Sequence, residues 1–387
     1  VNSLHLHSER GLIGVAAGVL AATLIAKVCR EAEPNTAASA RAETAVAENE
    51  FEVVELPTRW LIPPDPDLEP PVAAPLGIAV DQDNGRLLLL ELQPPELRSY
   101  SLISGQLLNV MGREGDGPGE YRNPIGLAVN VDGLAAVLSA SGRVTFWDPD
   151  GSLAGTVQTG PGLATDILAA RADTFYVKSD LFPPQDFSVF RLVTPDTAFA
   201  DARYRDVDLA SVSEPGRGLK NHAYAVAATR RGEILLSPPG PDYLILRIAA
   251  DGGTQRRIVR PEIGPLQRDA KEIEAIRERV RKGFAAAGRP TPAFIPVPEY
   301  RPHLACLAVA PDGSIWALTQ RGDEGVSVLD YFGPDGRYVA TYAVGRRVSA
   351  IAVTTDRLLL LARGADDVHG VAVAERPAAK PAQSVGG

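Results

Sequence analysis

Apolar residues fall in short runs along most of this chain, each broken by a turn and answered by a second run. Pro75-Leu-Gly-Ile-Ala-Val80 leads through Asp81-Gln-Asp-Asn-Gly85 into Arg86 to Leu90; Pro124-Ile-Gly-Leu-Ala-Val129 leads through Asn130-Val-Asp-Gly133 into Leu134 to Leu138; Leu304-Ala-Cys-Leu-Ala-Val309 leads through Ala310-Pro-Asp-Gly313 into Ser314 to Leu318. An apolar run, an Asp-Gly-type turn and a second apolar run predict a β-hairpin, because such turns supply the positive φ of a tight reversal. Weaker copies span Leu163 to Lys178, His222 to Leu236 and Val348 to Leu361.

A third run follows in most copies: Glu96 to Leu102, Arg143 to Asp148, Ser188 to Val193, Tyr243 to Ile248 and Val326 to Phe332. A further Gly or Asp-Gly turn then precedes an outer strand such as Arg337 to Val344. Val80 and Val129 are 49 residues apart, and Val309 and Val353 are 44 apart. A repeat of about 40 to 50 residues with four short strands is the pattern of β-propeller blades, which bury their apolar faces only by stacking in a ring.

Six copies predict an all-β, six-bladed propeller over residues 51–375. The last copy lacks an outer strand, and the isolated alternating segment Phe51 to Leu56 is expected to supply it and close the ring. Val226 and Val309 are 83 residues apart, so blades four and five are separated by an insert, 262–302. Within it Leu266 to Phe284 predicts a helix, with Ile273, Ile276, Val280 and Phe284 on one face.

The ends read differently. Gly11 to Ala26 is uncharged, follows Arg10 and is short for a bilayer span of about twenty residues, so 1–29 is expected to be a signal peptide or membrane anchor. Residues 30–50 predict a flexible linker and 376–387 a disordered tail. Export or membrane attachment places the domain outside the cytoplasm.

Charge narrows the function. The formal net charge of -9 speaks against a general nucleic-acid binder. The two cysteines, Cys29 and Cys306, lack zinc-ligand spacing, and His-Glu-x-x-His, Gly-x-Ser-x-Gly and phosphate-loop motifs are missing, so no cofactor, metal or catalytic residue is expected.

The stretch Gly115-Asp-Gly-Pro-Gly-Glu-Tyr121, the run Pro124 to Val129 and the turns Asp132-Gly133, Asp150-Gly151, Asp312-Gly313 and Asp335-Gly336 resemble the six-bladed propellers of the NHL-repeat kind, and especially bacterial exported propellers of unassigned function. In that family such a glycine-rich stretch joins one blade to the innermost strand of the next. The family shares no single chemistry, so the resemblance implies fold and not activity.

Residues just before each innermost strand should surround one mouth of the central channel. Arg113, Tyr121, Arg122, Asn123, Asn221, His222, Tyr300, Arg301, His303 and Arg346 are the candidate site residues, with Asp166 and Arg347 at equivalent positions. This largely basic set predicts a pocket for an anionic small molecule or a partner protein, since arginine forks bind carboxylates in a bidentate way. Their other use is to satisfy loop carbonyls and carboxylates such as Glu120 and Glu299. The expected function is a binding module; a lactonase-like hydrolase or lyase and an assembly scaffold are the alternatives.

Overall fold

The computed structural model describes residues 53–159, 163–169, 174–180, 188–195, 225–238, 240–249, 255–286, 290–291, 295, 297–323, 325–364 and 367–377. Two short strands lead in, β1 (Val53–Glu55) and β2 (Arg59–Ile62). The first sheet is β3 (Pro75–Asp81), β4 (Arg86–Leu92), β5 (Pro95–Ser101) and β6 (Leu107–Met111). A two-strand pair, β7 (Arg113–Glu114) and β8 (Glu120–Tyr121), bridges to the second sheet, β9 (Pro124–Val129), β10 (Ala135–Ser139), β11 (Arg143–Trp147) and β12 (Leu153–Gln158).

The third sheet, β13 (Leu163–Ala169), β14 (Phe175–Asp180) and β15 (Ser188–Val193), has three strands among the described residues. The fourth is β16 (Ala225–Ala228), β17 (Ile234–Ser237), β18 (Leu244–Ile248) and β19 (Gln255–Val259), followed by helix α1 (Ala270–Ala286). The fifth is β20 (Leu304–Val309), β21 (Ile315–Thr319), β22 (Ser327–Phe332) and β23 (Tyr338–Val344); the last is β24 (Arg347–Val353), β25 (Arg357–Arg363) and β26 (His369–Glu375), completed by β2. Five sheets therefore have four or more strands.

The first strand of each sheet lies beside the first strand of the next: β3 beside β9, then β13, β16, β20 and β24, with β24 beside β3 again. The cores lie between the sheets. The strand period of two sends Leu88 and Leu90 into a cluster with Ala135, Val137 and Trp147 of the second sheet, while Leu87 and Leu89 meet Leu359, Leu361, Val371 and Val373 of the last. Each sheet thus has two apolar faces that neither sheet could keep alone.

The chain before the first sheet corrects the expected closure. Val53–Glu55 does not complete the last sheet but adds a parallel fifth strand to the edge of β23, with Val54 opposite Tyr342. The outer strand of the last sheet is Arg59–Ile62, antiparallel to β26 with Arg59 opposite Val373. Burial decides between them: Val53 and Val54 are 51% and 41% exposed, while Ile62 is 1% exposed in the cluster joining the last and first sheets. Phe51 and Glu52 lie outside the described residues.

Arg376, half-buried just past the last strand, donates from its guanidinium to Asp312 and to the Ser314 hydroxyl of the fifth sheet. The leader, linker and remaining tail expectations, 1–50 and 378–387, fall outside the described residues, and no helix among the described residues is long and apolar enough to cross a membrane.

One irregularity recurs. Near its start the innermost strand carries one extra residue relative to its neighbour in five sheets: Leu76, Ile125, Thr165, Ala305 and Ser349. A bulge of this kind bends the strand and re-aims the side chains beyond it. We call the end where the innermost strands begin the front, and the opposite end the rear.

Candidate functional site

The front rim is built from the residues just ahead of these bulges. The structure separates the sequence-predicted set into three groups. Tyr121 is not at the rim at all. Its ring is fully buried against Trp147, 6.5 Å between centroids, in the core between the first two sheets, and burial raises its phenol pKa far above the usual range. The reason is Gly112, whose φ of 78° turns the chain so that the Tyr121 ring packs where a Cβ would stand.

Arg113 and Arg122 flank that loop and are occupied within it. Arg113 pairs with Glu120 at 2.9 Å and Arg122 with Asp116 at 2.7 Å. Glu120 also accepts the Gly117 amide, the main reason, ahead of Arg113, that its pKa lies below the usual carboxylate range. Arg143 holds the loop from below through the carbonyls of Gly115, Asp116 and Glu120. The glycine-rich stretch is therefore a self-closed crossing. Asn123 follows it in the left-handed region, φ 51°, with its carbonyl accepting the Ala140 amide.

The second group serves the insert. The segments 266–268 and 299–301 run together: the Arg301 amide donates to the Leu266 carbonyl, the Arg268 amide to Glu299, and Gln267 bridges Tyr300. Arg301 then forks onto Glu272 in the first turn of α1, which Arg268 also reaches at 3.0 Å. Val280 and Phe284 pack with Ile295 and Val297 in a small core of their own. The stem thus commits the exposed Arg301 to Glu272 of the insert helix.

His303 is likewise interior. It is 2% exposed, its Nε2 meets the Pro241 carbonyl at 3.0 Å, and its ring lies 5.7 Å from Tyr243. Burial lowers its pKa, so the ring is neutral. Beside it Asp330 takes both Arg321 contacts at 2.6 Å, Arg260 at 2.9 Å and the Thr341 hydroxyl at 2.7 Å. Arg260 also pairs with Glu262 at 2.7 Å, which leaves that junction close to electrically balanced.

The third group is the front of the last sheet. Arg346 stacks 4.1 Å over Trp60 and donates to the Thr58 hydroxyl, so it locks the closing strand. Arg347, the next residue, stands opposite Arg363 in the ladder, and Arg363 stands opposite His369. Arg363 forks onto Asp367 at 2.8 and 3.0 Å, and its Nε donates to His369 Nε2 at 3.1 Å. The Arg363–Asp367 hydrogen bond, first among the causes, holds the Asp367 carboxyl below its ordinary pKa, while burial and then Arg363 lower that of His369. Asn221 and His222 lie outside the described residues.

Behind this row the connector Pro70–Ala74 is wedged against the first sheet. Arg98 donates to the Pro71 carbonyl at 2.6 Å, and the Ala74 amide donates to buried Glu91 at 2.8 Å. Sequence reading missed Arg363 and His369 because their place depends on register, not on position before an innermost strand. Among the described residues no group of three His, Cys, Asp or Glu is placed to hold a metal.

Solved structures share this architecture. U3-55K matches with a TM-score of 0.50 at 12% identity, covering 79% of this chain and 96% of that one. A Bacteroides fragilis protein thought to be exported matches with a TM-score of 0.50 at 13% identity, covering 86% of this chain and 98% of that one. A calcium-binding regucalcin of Agrobacterium tumefaciens has a TM-score of 0.47 at 14% identity, covering 85% and 98%. The chain is a β-propeller. At these identities the likeness shows the fold alone, and no family model and no curated protein matches the chain.

Proposed function

We propose that this propeller is an exported, six-bladed binding module of the NHL-like kind, which takes an anionic ligand or partner at its front mouth without catalysis. One observation carries the reading. In a chain of net charge -9, the front of the last sheet gathers Arg346, Arg347 and Arg363, and among the described residues Asp367 is the carboxylate paired there. A local cationic surface on an acidic protein concentrates anions at one place and repels them elsewhere.

Export is supported by the uncharged Gly11 to Ala26 run behind Arg10 and by the likeness to the Bacteroides fragilis protein. The binding reading is tested by thermal unfolding of the full chain with a panel of organic and inorganic anions at constant ionic strength. A ligand that binds only the folded state raises Tm in proportion to its saturation. A rise with at least one class of anion above the chloride control is expected; an unchanged Tm across the panel overturns the reading.

A further inference from the structure

We propose that the Arg347–Arg363 pair, with His369 behind it, is a binding site for the carboxylate of a small molecule at the front rim between the last sheet and the first. This rests on the front-mouth reading above and gives it residues and a ligand class.

The repeated sheets place equivalent rim positions side by side for comparison. Just outside the bulge, each of the five bulged innermost strands presents one rim pair with its neighbour: Ala74 with Leu92, Asn123 with Ala140, Leu163 with Asp180, His303 with Gln320, and Arg347 with Arg363. Four of these pairs bring no two like charges together. The fifth sets two guanidinium groups directly opposite each other, where Cβ atoms are about 4.5–5.5 Å apart and like charges destabilise the sheet. An unfavourable pair at one of five equivalent positions asks for a compensating group.

Only part of that compensation is internal. Arg363 is occupied by the Asp367 fork and by His369. Asp367 is itself held in the left-handed region at φ 61°, which keeps its carboxylate under Arg363. Arg347 makes no hydrogen bond or ion pair among the described residues and is half-buried, although Asp367 lies within its field. Among the described residues, two guanidinium charges, one carboxylate and a neutral imidazole leave one positive charge unmatched.

The bulge at Ser349 creates this arrangement. Inside it Ala350 pairs with Leu361; outside it the register moves by one, so that Arg347 and not its neighbour meets Arg363. Arg363 continues the face of Leu359 and Leu361, which meets the first sheet, so the row borders the crevice between the two sheets instead of the outer surface. A single unmatched charge beside a planar guanidinium fork fits a planar, singly charged carboxylate better than a phosphate dianion.

The test uses the full chain and titrates acetate, benzoate and phosphate by calorimetry at constant ionic strength, in the wild type, Arg347→Gln, Arg347→Lys and Arg363→Gln. The expected result is carboxylate binding that weakens at least tenfold in Arg347→Gln and Arg363→Gln and more than in Arg347→Lys, with a ligand-free Tm for Arg347→Gln equal to or above the wild type. A ligand-free Arg347→Gln that melts below the wild type, or that binds carboxylate as the wild type does, overturns the proposal; so does tighter binding of phosphate than of both carboxylates. If the wild type binds carboxylate and the variants match it, the front-mouth reading survives and this site falls; if the wild type binds none of the anions, the reading falls first.

Discussion

The guanidinium of Arg357 crosses the join between the last sheet and the first, donating from Nη1 to the Leu102 carbonyl 3.3 Å away. The same device recurs on the rear. Arg86 of the first sheet donates to the Pro149 carbonyl of the second, and Arg247 of the fourth to the Pro334 carbonyl of the fifth at 2.7 Å. Each arginine reaches the turn between the third and fourth strands of the next sheet. Stacking of apolar faces is non-directional, so such bonds fix how far each sheet slides on its neighbour.

These staples differ in what lies behind them. Arg86 is paired with buried Asp81 at 2.6 Å and also holds the Gly133 carbonyl, whereas Arg357 is partly exposed and its carboxylate, Asp356, faces solvent. Arg86→Met leaves a buried carboxylate without its partner and is expected to cost about 3–5 kcal/mol. Arg357→Met removes one charged donor and should cost about 1–2 kcal/mol. Urea unfolding checks both, and equal losses would show that the buried pair is not what makes Arg86 costly.

The last sheet is closed by β2, so the two N-terminal strands should be unequal. Ile62→Ala empties a site that is 1% exposed between the last and first sheets, with an expected loss of about 2–5 kcal/mol. Val54→Ala, on a strand 41% exposed at that position, should change stability by less than about 0.5 kcal/mol. The comparison is made by chemical unfolding of the single variants. A larger loss at Val54 would return closure to the 51–56 segment.

Strand positions were legible because a hairpin is written locally, as in the Asp132-Gly133 turn between Pro124–Val129 and Ala135–Ser139. The helix was legible for the same reason, from the spacing of Ile276, Val280 and Phe284. Closure was misread since Phe51 to Leu56 has the longer alternation, while Arg59–Ile62 is four residues between Pro57 and Pro63 and is chosen by what Ile62 buries. The rim fared worst. Regular pairing inward from the Thr355-Asp356 turn would set Val348 against Arg363, and only the bulge at Ser349 brings Arg347 there.

Tyr121 offers a test of the corrected loop. Its hydroxyl is buried without a hydrogen bond meeting ordinary geometry, so Tyr121→Phe should leave stability within about 1 kcal/mol and leave anion binding unchanged. Gly112→Ala should be worse, by about 1–2 kcal/mol, because alanine at φ 78° is strained and its methyl meets the Tyr121 ring. Thermal unfolding of the two variants, with the anion panel repeated on Tyr121→Phe, separates a core role from a rim role. Loss of anion binding in Tyr121→Phe alone would restore Tyr121 to the mouth.

His303 makes the fold sensitive to mild acid. Its pKa is lowered from 6.5, first by burial, while Arg321 adds to the effect and the Pro241 carbonyl and Asp242 oppose it. The unfolded chain therefore binds a proton here more readily than the folded one. The stabilisation is fully present above pH 6.5 and is lost as pH falls below that value toward the folded pKa. In His303→Gln the side chain can still donate to Pro241 but cannot titrate. The wild type should lose stability relative to His303→Gln between about pH 7.5 and 5.5, as measured by urea unfolding at each pH. Taking the difference cancels the other groups that titrate in that range, His369 among them, so a pH-independent difference would mean that the ring is protonated without penalty and is not buried as described.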